Sequence, residues 1–225
     1  MKVLLVEDDA SLREGMSELI SELAEVREAG SVPQALAALR EGLFDLVISD
    51  LRIGENADGG RRILEAARGR LQPVAIVSAA AAEEVVRALR PFEPDAVLAK
   101  PFQIDDVLGL VTSFKSVRDA VGKLARESCP PATAEGWTEL AGGVRMLERQ
   151  PGQHAWLRMA PGSTFSWKVQ REPVAVMLLE GDLEVDGERR AGQQYLFLAA
   201  GPREAKSQEG CLAVWVAGPV RPGQA

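Results

Sequence analysis

Four short apolar stretches of this chain each end in side chains that could take part in chemistry. Glu7 and Asp8 follow the first stretch, Asp50 the second, Ser78 the third and Lys100 the fourth. Three carboxylates in one cleft would repel one another unless a cation joined them. Hard oxygen ligands that leave room for water suit Mg²⁺, which binds through one or two carboxylates together with phosphate oxygens. The residue types therefore favour a magnesium site.

The same side chains also fit the transfer of a phosphoryl group to the protein itself. A carboxylate can attack phosphorus and form an aspartyl phosphate. The incoming group adds about two negative charges and three strong acceptors, so its oxygens need a metal ion, a cation and a hydroxyl. Lys100 and Ser78 are the residue types required for the last two. Phosphoryl transfer needs little beyond such positioning and charge neutralisation.

Alternating strands and helices must position these side chains. Apolar runs predict five strands, at residues 2–6, 25–31, 44–49, 74–78 and 96–99. Helical spacing and caps predict helices that begin near residues 11, 33, 61, 81 and 103. This alternation predicts an α/β fold with a doubly wound, five-stranded parallel sheet. Ligands bind outside the carboxyl ends of the strands in such sheets, so the four stretches should converge.

The four stretches in this order, with Lys100 followed by Pro101 and Phe102, resemble the CheY-like receiver domain of bacterial response regulators. The resemblance covers roughly residues 1–120. It implies that Asp50 is the phosphoacceptor and that a sensor histidine kinase is the phosphodonor. It also implies that Mg²⁺ would be the cofactor of the receiver.

The ligands of that ion also follow from the resemblance. Glu7 and Asp8 are its acid pair, and they would hold the ion together with Asp50. The backbone carbonyl of Arg52 is a further ligand. A receiver that keeps these residues but is never phosphorylated in the cell stays open as an alternative.

Two positions depart from the family pattern. The family usually has Tyr or Phe three residues before the lysine, and this ring reports phosphorylation by swinging inward; here the position is Val97. In the loop after Asp50, Gly54 replaces the customary proline, and one residue is inserted before Gly59. We therefore expect intact chemistry with an altered readout, and the receiver surface that switches is not predicted.

Composition limits the other possibilities. The 225 residues suffice for two modest domains, and no apolar run approaches the roughly 20 residues that span a bilayer. A net charge of −7 disfavours a nucleic-acid-binding surface. Cys129 and Cys211 do not make a disulfide framework, and the single His154 excludes a site built from several histidines. We expect a cytoplasmic protein that binds neither nucleic acid nor membrane.

Residues 103–127 read as one long helix that extends beyond the receiver. Six apolar residues follow a heptad-like spacing of three and four, namely Val107, Leu110, Phe114, Val117, Val121 and Leu124. This stripe could pair with its twin in a homodimer or pack on the C-terminal domain. Residues 128–136 contain two prolines and a glycine, so they end the helix and form a linker.

The second half has the pattern of a small antiparallel barrel or sandwich. Short apolar runs alternate with turn signals such as Asp186-Gly187, and all four tryptophans lie here. Residues 137–219 resemble a cupin, most closely the cupin domains of zinc-dependent anti-sigma factors. Gly162 and Gly181 have the spacing of the first cupin motif. The whole chain should then be a receiver and an all-β cupin-like barrel joined by a long helix.

The metal ligands of cupins are missing from this half. Their positions hold Lys168, Gln170, Val174 and Glu204. Transition metals prefer imidazole or thiolate ligands, so no metal is expected in the barrel. Lys168, Gln170 and Glu204 could line a pocket for an organic ligand, or could form a polar network that fills the barrel.

These expectations combine into an atypical two-component response regulator. It would be phosphorylated on Asp50 with Mg²⁺ and would signal through its metal-free cupin-like domain, by dimerisation or by binding an unknown downstream protein. No turnover of a separate substrate is expected. One alternative is a barrel that senses a small ligand, with the receiver as a dimerisation platform. Another is a cupin enzyme under receiver control.

Overall fold

The protein is described here from a computed structural model, which covers residues 1–54, 58–150, 153–167 and 172–218. The chain forms two compact units. The first comprises Met1–Lys115 and the second begins at Ser116. The boundary falls within a long helix, so residues 116–125 of that helix belong to the second unit. Among the described residues, no helix has the length and apolar character needed to cross a membrane.

The first unit is a five-stranded parallel sheet in the order β2-β1-β3-β4-β5, which confirms the predicted α/β class. Its strands are β1 (Lys2–Val6), β2 (Glu25–Ala29), β3 (Leu46–Asp50), β4 (Val74–Ser78) and β5 (Ala96–Ala99). Its helices are α1 (Ala10–Ser21), α2 (Val32–Glu41), α3 (Gly59–Arg68), α4 (Ala82–Leu89) and α5 (Ile104–Ala125).

Local signals in the sequence account for several of these boundaries. Asp9 begins α1, because its side chain accepts a hydrogen bond from the Leu12 amide at 2.9 Å. Pro33 lies in the first turn of α2, where its missing N–H costs nothing. The strands β1, β3 and β4 are almost wholly buried, as expected for a parallel sheet covered on both faces.

Gly60 allows α3 to begin directly against the end of β3. A Cβ atom at this position would lie 2.6 Å from the Asp50 carbonyl oxygen and 2.7 Å from Leu51 Cα. The Gly60 amide instead donates a hydrogen bond to the Leu51 carbonyl at 3.1 Å. Only glycine permits this approach, so Gly60 helps to fix the backbone that carries Asp50.

Four of the six residues in the apolar stripe of α5 are buried within a single chain, and the other two are half-buried. Val107 and Val121 have no exposed surface, and Phe114 and Leu124 are only 2% and 6% exposed. In the second unit the Arg118 guanidinium lies 5.9 Å from the centre of a tyrosine ring in the barrel. These contacts favour the second alternative for this helix, in which its C-terminal part packs on the C-terminal domain.

The second unit is a nearly closed antiparallel sheet of nine strands, which agrees with the predicted small barrel. The strands are β6 (Thr138–Ala141), β7 (Val144–Gln150), β8 (His154–Met159), β9 (Thr164–Trp167), β10 (Val174–Val185), β11 (Glu188–Ala191), β12 (Gln194–Leu198), β13 (Arg203–Lys206) and β14 (Cys211–Ala217). The long β10 pairs with β11, β12, β13 and β14. Asp186 and Gly187 form the tight β10–β11 turn, both with positive φ as a two-residue hairpin requires.

The central strands β8, β10, β12 and β14 of this sheet are largely buried on both faces. Strand register places Trp156, Val214, Met177 and Tyr195 on the face that Arg118 contacts. Leu157 occupies the opposite face, and both it and Trp156 are buried.

A buried carboxylate that the sequence did not identify holds one end of this unit together. Asp182 has no exposed surface and accepts hydrogen bonds from the Glu209 amide at 2.6 Å and the Gln208 amide at 3.1 Å. The Ser207 hydroxyl and the Arg189 Nε atom donate to it at 3.2 and 3.1 Å. These four donors outweigh the effect of burial, so the pKa of Asp182 lies below its usual value.

Candidate functional site

The carboxyl ends of β3, β4 and β5 form a cleft of about 380 Å³ in the first unit. Its walls include Asp50 from β3, Ser78 from β4 and Lys100 directly after β5. Leu51, Arg52, Ala79 and Ala80 complete the lining. With Arg52, four residues from the sequence prediction therefore share one cleft, although 50 positions separate the first from the last, whereas Glu7 and Asp8 are not among its lining residues. Parallel strands bring them to one edge of the sheet, as expected.

Lys100 joins two carboxylates at this edge. Its ammonium nitrogen lies 3.0 Å from Glu7 Oε2 and also donates a short hydrogen bond to Asp50 Oδ2. The Glu7 side chain is 4% exposed, whereas the Asp50 side chain keeps 12% of its surface accessible. The lysine thus neutralises part of a negative cluster, with Asp50 the more accessible of its two partners.

Burial, neighbouring charges and hydrogen bonds shift the pKa values of Glu7 and Lys100. Burial raises the pKa of Glu7, and the nearby charge of Asp50 adds to that effect against the opposing hydrogen bond from Lys100. Burial alone would lower the pKa of Lys100, but its hydrogen bonds to Asp50 and Glu7 outweigh burial and raise it. Lys100 is therefore a permanent cation at neutral pH.

Asp8 lies at the exposed edge of the same acidic cluster. Its Oδ2 atom accepts a hydrogen bond from the Gly54 amide at 2.8 Å, and this bond lowers the pKa of Asp8. A proline at this position, as the family usually has, could not donate that bond. Gly54 also has φ +65°, which favours glycine. The departure at Gly54 therefore ties the β3–α3 loop to the acid pair.

Backbone amides orient the two oxygen-bearing side chains of the cleft. The Arg52 amide donates to Asp50 Oδ1 at 2.9 Å. The Ala80 amide donates to Ser78 Oγ at 3.0 Å. The sequence prediction gave Arg52 a role through its carbonyl and missed its amide, because a side-chain pattern carries no signal for a backbone donor. The carbonyl's role as a metal ligand stays a prediction.

Val97 lies beside the core and not in the cleft. It is half-buried on β5 and packs against the cluster of apolar residues between the sheet and its helices. A valine has no ring that could swing between an outward and an inward position. A conformational response in this receiver must therefore use other residues.

The donor set near Lys100 fits Mg²⁺ by its chemistry. Glu7, Asp8 and Asp50 supply three carboxylates against one ammonium group, an excess of negative charge that a divalent cation would offset. The geometry does not assemble such a site as it stands, because in the described part of the chain no three His, Cys, Asp or Glu side chains converge as a metal site. The three carboxylates are the groups that would hold the ion, which remains a prediction.

The three residues predicted for a barrel pocket are not brought together by the described structure. Lys168 and Gln170 lie outside the described residues. The Glu204 side chain is 56% exposed and lies 3.5 Å from Lys206. Its neighbour Ala205 is fully buried, so alternation along β13 directs Glu204 outward. The exposure of Glu204 gives no support to a pocket role.

Comparisons with known proteins match the first unit. Residues 3–112 match the family model of the response regulator receiver domain. The transcriptional regulatory protein PdtaR of Mycobacterium tuberculosis is 29% identical over 130 residues, 55% of this chain and 63% of PdtaR. The response regulator protein FleR of Pseudomonas aeruginosa is 38% identical over 129 residues, 55% of this chain and 25% of FleR. This chain thus spans less than two thirds of either relative.

Solved receiver structures cover the same part of the chain. The chemotaxis response regulator CheY4 of Vibrio cholerae aligns with a TM-score of 0.44 at 25% identity, covering 50% of this chain and 97% of CheY4. The family match and the convergent cleft together support a response regulator receiver domain at residues 3–112.

Proposed function

We propose that the protein is an atypical two-component response regulator of the cytoplasm, phosphorylated on Asp50 by a sensor histidine kinase. The observation that carries this proposal is the shared cleft of Asp50, Ser78 and Lys100. Asp50 is its accessible carboxylate, and a hydroxyl and an ammonium group stand beside it. These are the partners that a phosphoryl group on Asp50 would need.

The residues of the cleft would have different roles in phosphoryl transfer. An Asp50 carboxylate oxygen forms the new bond to phosphorus while the bond from phosphorus to the donor's leaving group breaks. Lys100 donates hydrogen bonds to the transferred group, and the Ser78 hydroxyl donates another. Mg²⁺, when bound by Glu7, Asp8 and Asp50, supplies positive charge to the phosphoryl oxygens. The protein itself is the acceptor, and no turnover of a separate substrate is part of the proposal.

The output would pass through α5 to the second unit and then to a downstream protein. The helix runs unbroken from Ile104 to Ala125, and Arg118 in its second half lies over the Tyr195 ring. A change at the receiver that moves this helix would alter the contact with the barrel. The second unit would act without a metal of its own, and its cupin relationship is part of the proposal.

A homodimer through α5 would have to compete with contacts inside one chain. Val121 and Leu124, two of the stripe positions, are already buried. Phosphorylation could promote a dimer through these two positions only by exposing them. Sizing the protein with and without beryllofluoride, an aspartyl-phosphate mimic, distinguishes a dimerising output from one that stays within the chain.

Acetyl phosphate tests the receiver activity without knowledge of the kinase. Intact-mass measurement of the full chain should show one added phosphoryl group with acetyl phosphate and Mg²⁺, and none when EDTA replaces Mg²⁺. Asp50→Asn should remain unlabelled. Absence of labelling in the wild-type protein, or equal labelling of the variant, would overturn the proposal.

A further inference from the structure

We infer that Arg13 is a positioning residue for the acid pair Glu7 and Asp8, and that it sets the affinity of the receiver for Mg²⁺. The inference rests on the proposed function, since it concerns the same site. Arg13 lies on α1, one turn beyond the acids. Arg13 is not one of the side chains that would contact the phosphoryl group or the metal ion.

The Arg13 side chain bridges two segments beside the site. Its Nη1 atom donates to the Glu7 backbone carbonyl at 2.7 Å. Its Nε atom lies 3.3 Å from Glu28 Oε2 on β2. The side chain is only 21% exposed, compared with 46% for Arg27, which also pairs with a glutamate. Arg13 is therefore held in one place, unlike an ordinary surface arginine.

The absence of a side chain at Gly30 leaves room for the Arg13 guanidinium group. A Cβ atom on Gly30 would lie 3.0 Å from Arg13 Nη1 and 3.4 Å from its Cζ. Any side chain at position 30 would push against the bond to Glu7. Gly30 follows β2 directly, so the end of β2 and the start of α1 together enclose the arginine.

The carbonyl that Arg13 holds belongs to the peptide group between Glu7 and Asp8. A planar peptide group fixes both flanking Cα atoms, so holding its oxygen restricts the direction in which both carboxylates leave the backbone. Two longer hydrogen bonds also hold Glu7 in place. The Glu7 amide donates to Ala29 O at 3.2 Å, and the Asp9 amide donates to Glu7 Oε1 at 3.3 Å. The bond from Arg13 is the shortest of the three and the only one with a charged donor.

Groups that orient metal ligands typically change metal affinity about 10–100-fold when they are removed. Arg13→Ala should therefore weaken Mg²⁺ binding by about 10-fold or more. The phosphorylation rate at saturating Mg²⁺ should change little, because Asp50, Ser78 and Lys100 remain in place. If Arg13 contributed only to folding, its removal would not lower the Mg²⁺ affinity while leaving the phosphorylation rate at saturating Mg²⁺ unchanged.

The test measures Mg²⁺ binding to the full chain by calorimetry, and the Mg²⁺ dependence of labelling by acetyl phosphate. Arg27→Ala is the matched control, since it also removes one arginine from a pair with a glutamate. Arg27→Ala should bind Mg²⁺ like the wild-type protein. If Arg13→Ala also binds like the wild-type protein, the inference is wrong while the proposed function stands. If the wild-type protein binds no Mg²⁺, both fail.

Two milder variants keep the test decisive if Arg13→Ala does not fold. Glu28→Gln removes the charge partner of Arg13 and retains its bond to Glu7. Gly30→Ala places a methyl group against the guanidinium. Both should weaken Mg²⁺ binding by a smaller factor than removal of Arg13. Wild-type affinity in both variants would overturn the inference.

Discussion

Lys100 donates a hydrogen bond to the Asp50 carboxylate across the ends of β3 and β5. The same ammonium group lies 3.0 Å from Glu7 Oε2, so one cation serves a buried and an accessible carboxylate. A phosphoryl group placed on Asp50 would compete with Glu7 for this cation. Lys100 would therefore connect the phosphorylation state of Asp50 to the acid pair that follows β1.

Replacing this lysine should slow phosphorylation without unfolding the receiver. A hydrogen bond to a charged group contributes about 1.5–3 kcal/mol, which corresponds to roughly 10–100-fold in rate. Lys100→Gln should lower the rate of labelling by acetyl phosphate at saturating Mg²⁺ by about this factor. Lys2→Gln is the control, since Lys2 begins β1 at the opposite end of the sheet and is 61% exposed. Equal rates for Lys100→Gln and the wild-type protein would contradict the role of Lys100.

Asp182 should make the second unit sensitive to acid. Its pKa is lower in the folded protein than in the unfolded chain. Its contribution to stability is therefore complete above the unfolded value of about 3.9 and is lost as the pH falls through the folded value. Asp182→Asn should lower the free energy of unfolding by about 1–3 kcal/mol at pH 7, and by progressively less as the pH approaches the folded pKa.

Tryptophan emission measures this effect selectively, because all four tryptophans lie in the second half of the chain. Asp186→Asn is the control: Asp186 also pairs with an arginine, but its side chain is 39% exposed. An exposed pair contributes at most about 1 kcal/mol. A deficit in Asp182→Asn that stays constant from neutral to acid pH would contradict the linkage.

Leu124 should stabilise the folded chain and not a dimer. It is 6% exposed within one chain, and removal of a buried leucine side chain typically costs about 2–5 kcal/mol. Leu124→Ala should show this loss in urea unfolding followed by tryptophan emission, equally at low and high protein concentration. Ile104→Ala, at a position 58% exposed on the same helix, should change stability by less than about 0.5 kcal/mol. A loss that depends on protein concentration would instead indicate a dimer seam.

The contact of Arg118 with Tyr195 should couple the helix to the barrel. A double-mutant cycle with Arg118→Ala and Tyr195→Ala should give a coupling energy of about 0.5–2 kcal/mol, as for a partly shielded cation over an aromatic ring. The cycle isolates this pair from the other contacts of both residues. Additive effects of the two substitutions would contradict a direct contact between them.

Much of the site was predictable because its side chains lie at the ends of buried strands. Buried parallel strands are continuous apolar runs, so the residue that ends each run is visible in the sequence. The predicted β1 and β4 match the observed strands at both ends. The predicted third strand, 44–49, begins two residues before the observed Leu46–Asp50 and ends one before it. Asp50 itself therefore lies on the strand and not after it.

Other features depend on contacts that the sequence does not encode locally. Asp182 reads as an ordinary turn residue, because its donors come from residues 207–209 far along the chain. The stripe on α5 predicted an apolar partner, but a heptad spacing cannot distinguish a second helix from a sheet. The amides of Arg52 and Gly54 are backbone groups, which any non-proline residue would supply.

The central claim is that Asp50 itself carries the phosphoryl group. The most direct measurement treats the protein with acetyl phosphate and Mg²⁺, reduces the acyl phosphate with borohydride, and locates the reduced residue by peptide mass spectrometry. The account predicts reduction at Asp50 alone, and none without Mg²⁺. Reduction at Glu7 or Asp8, or no reduced residue in a protein that is otherwise folded, would contradict it.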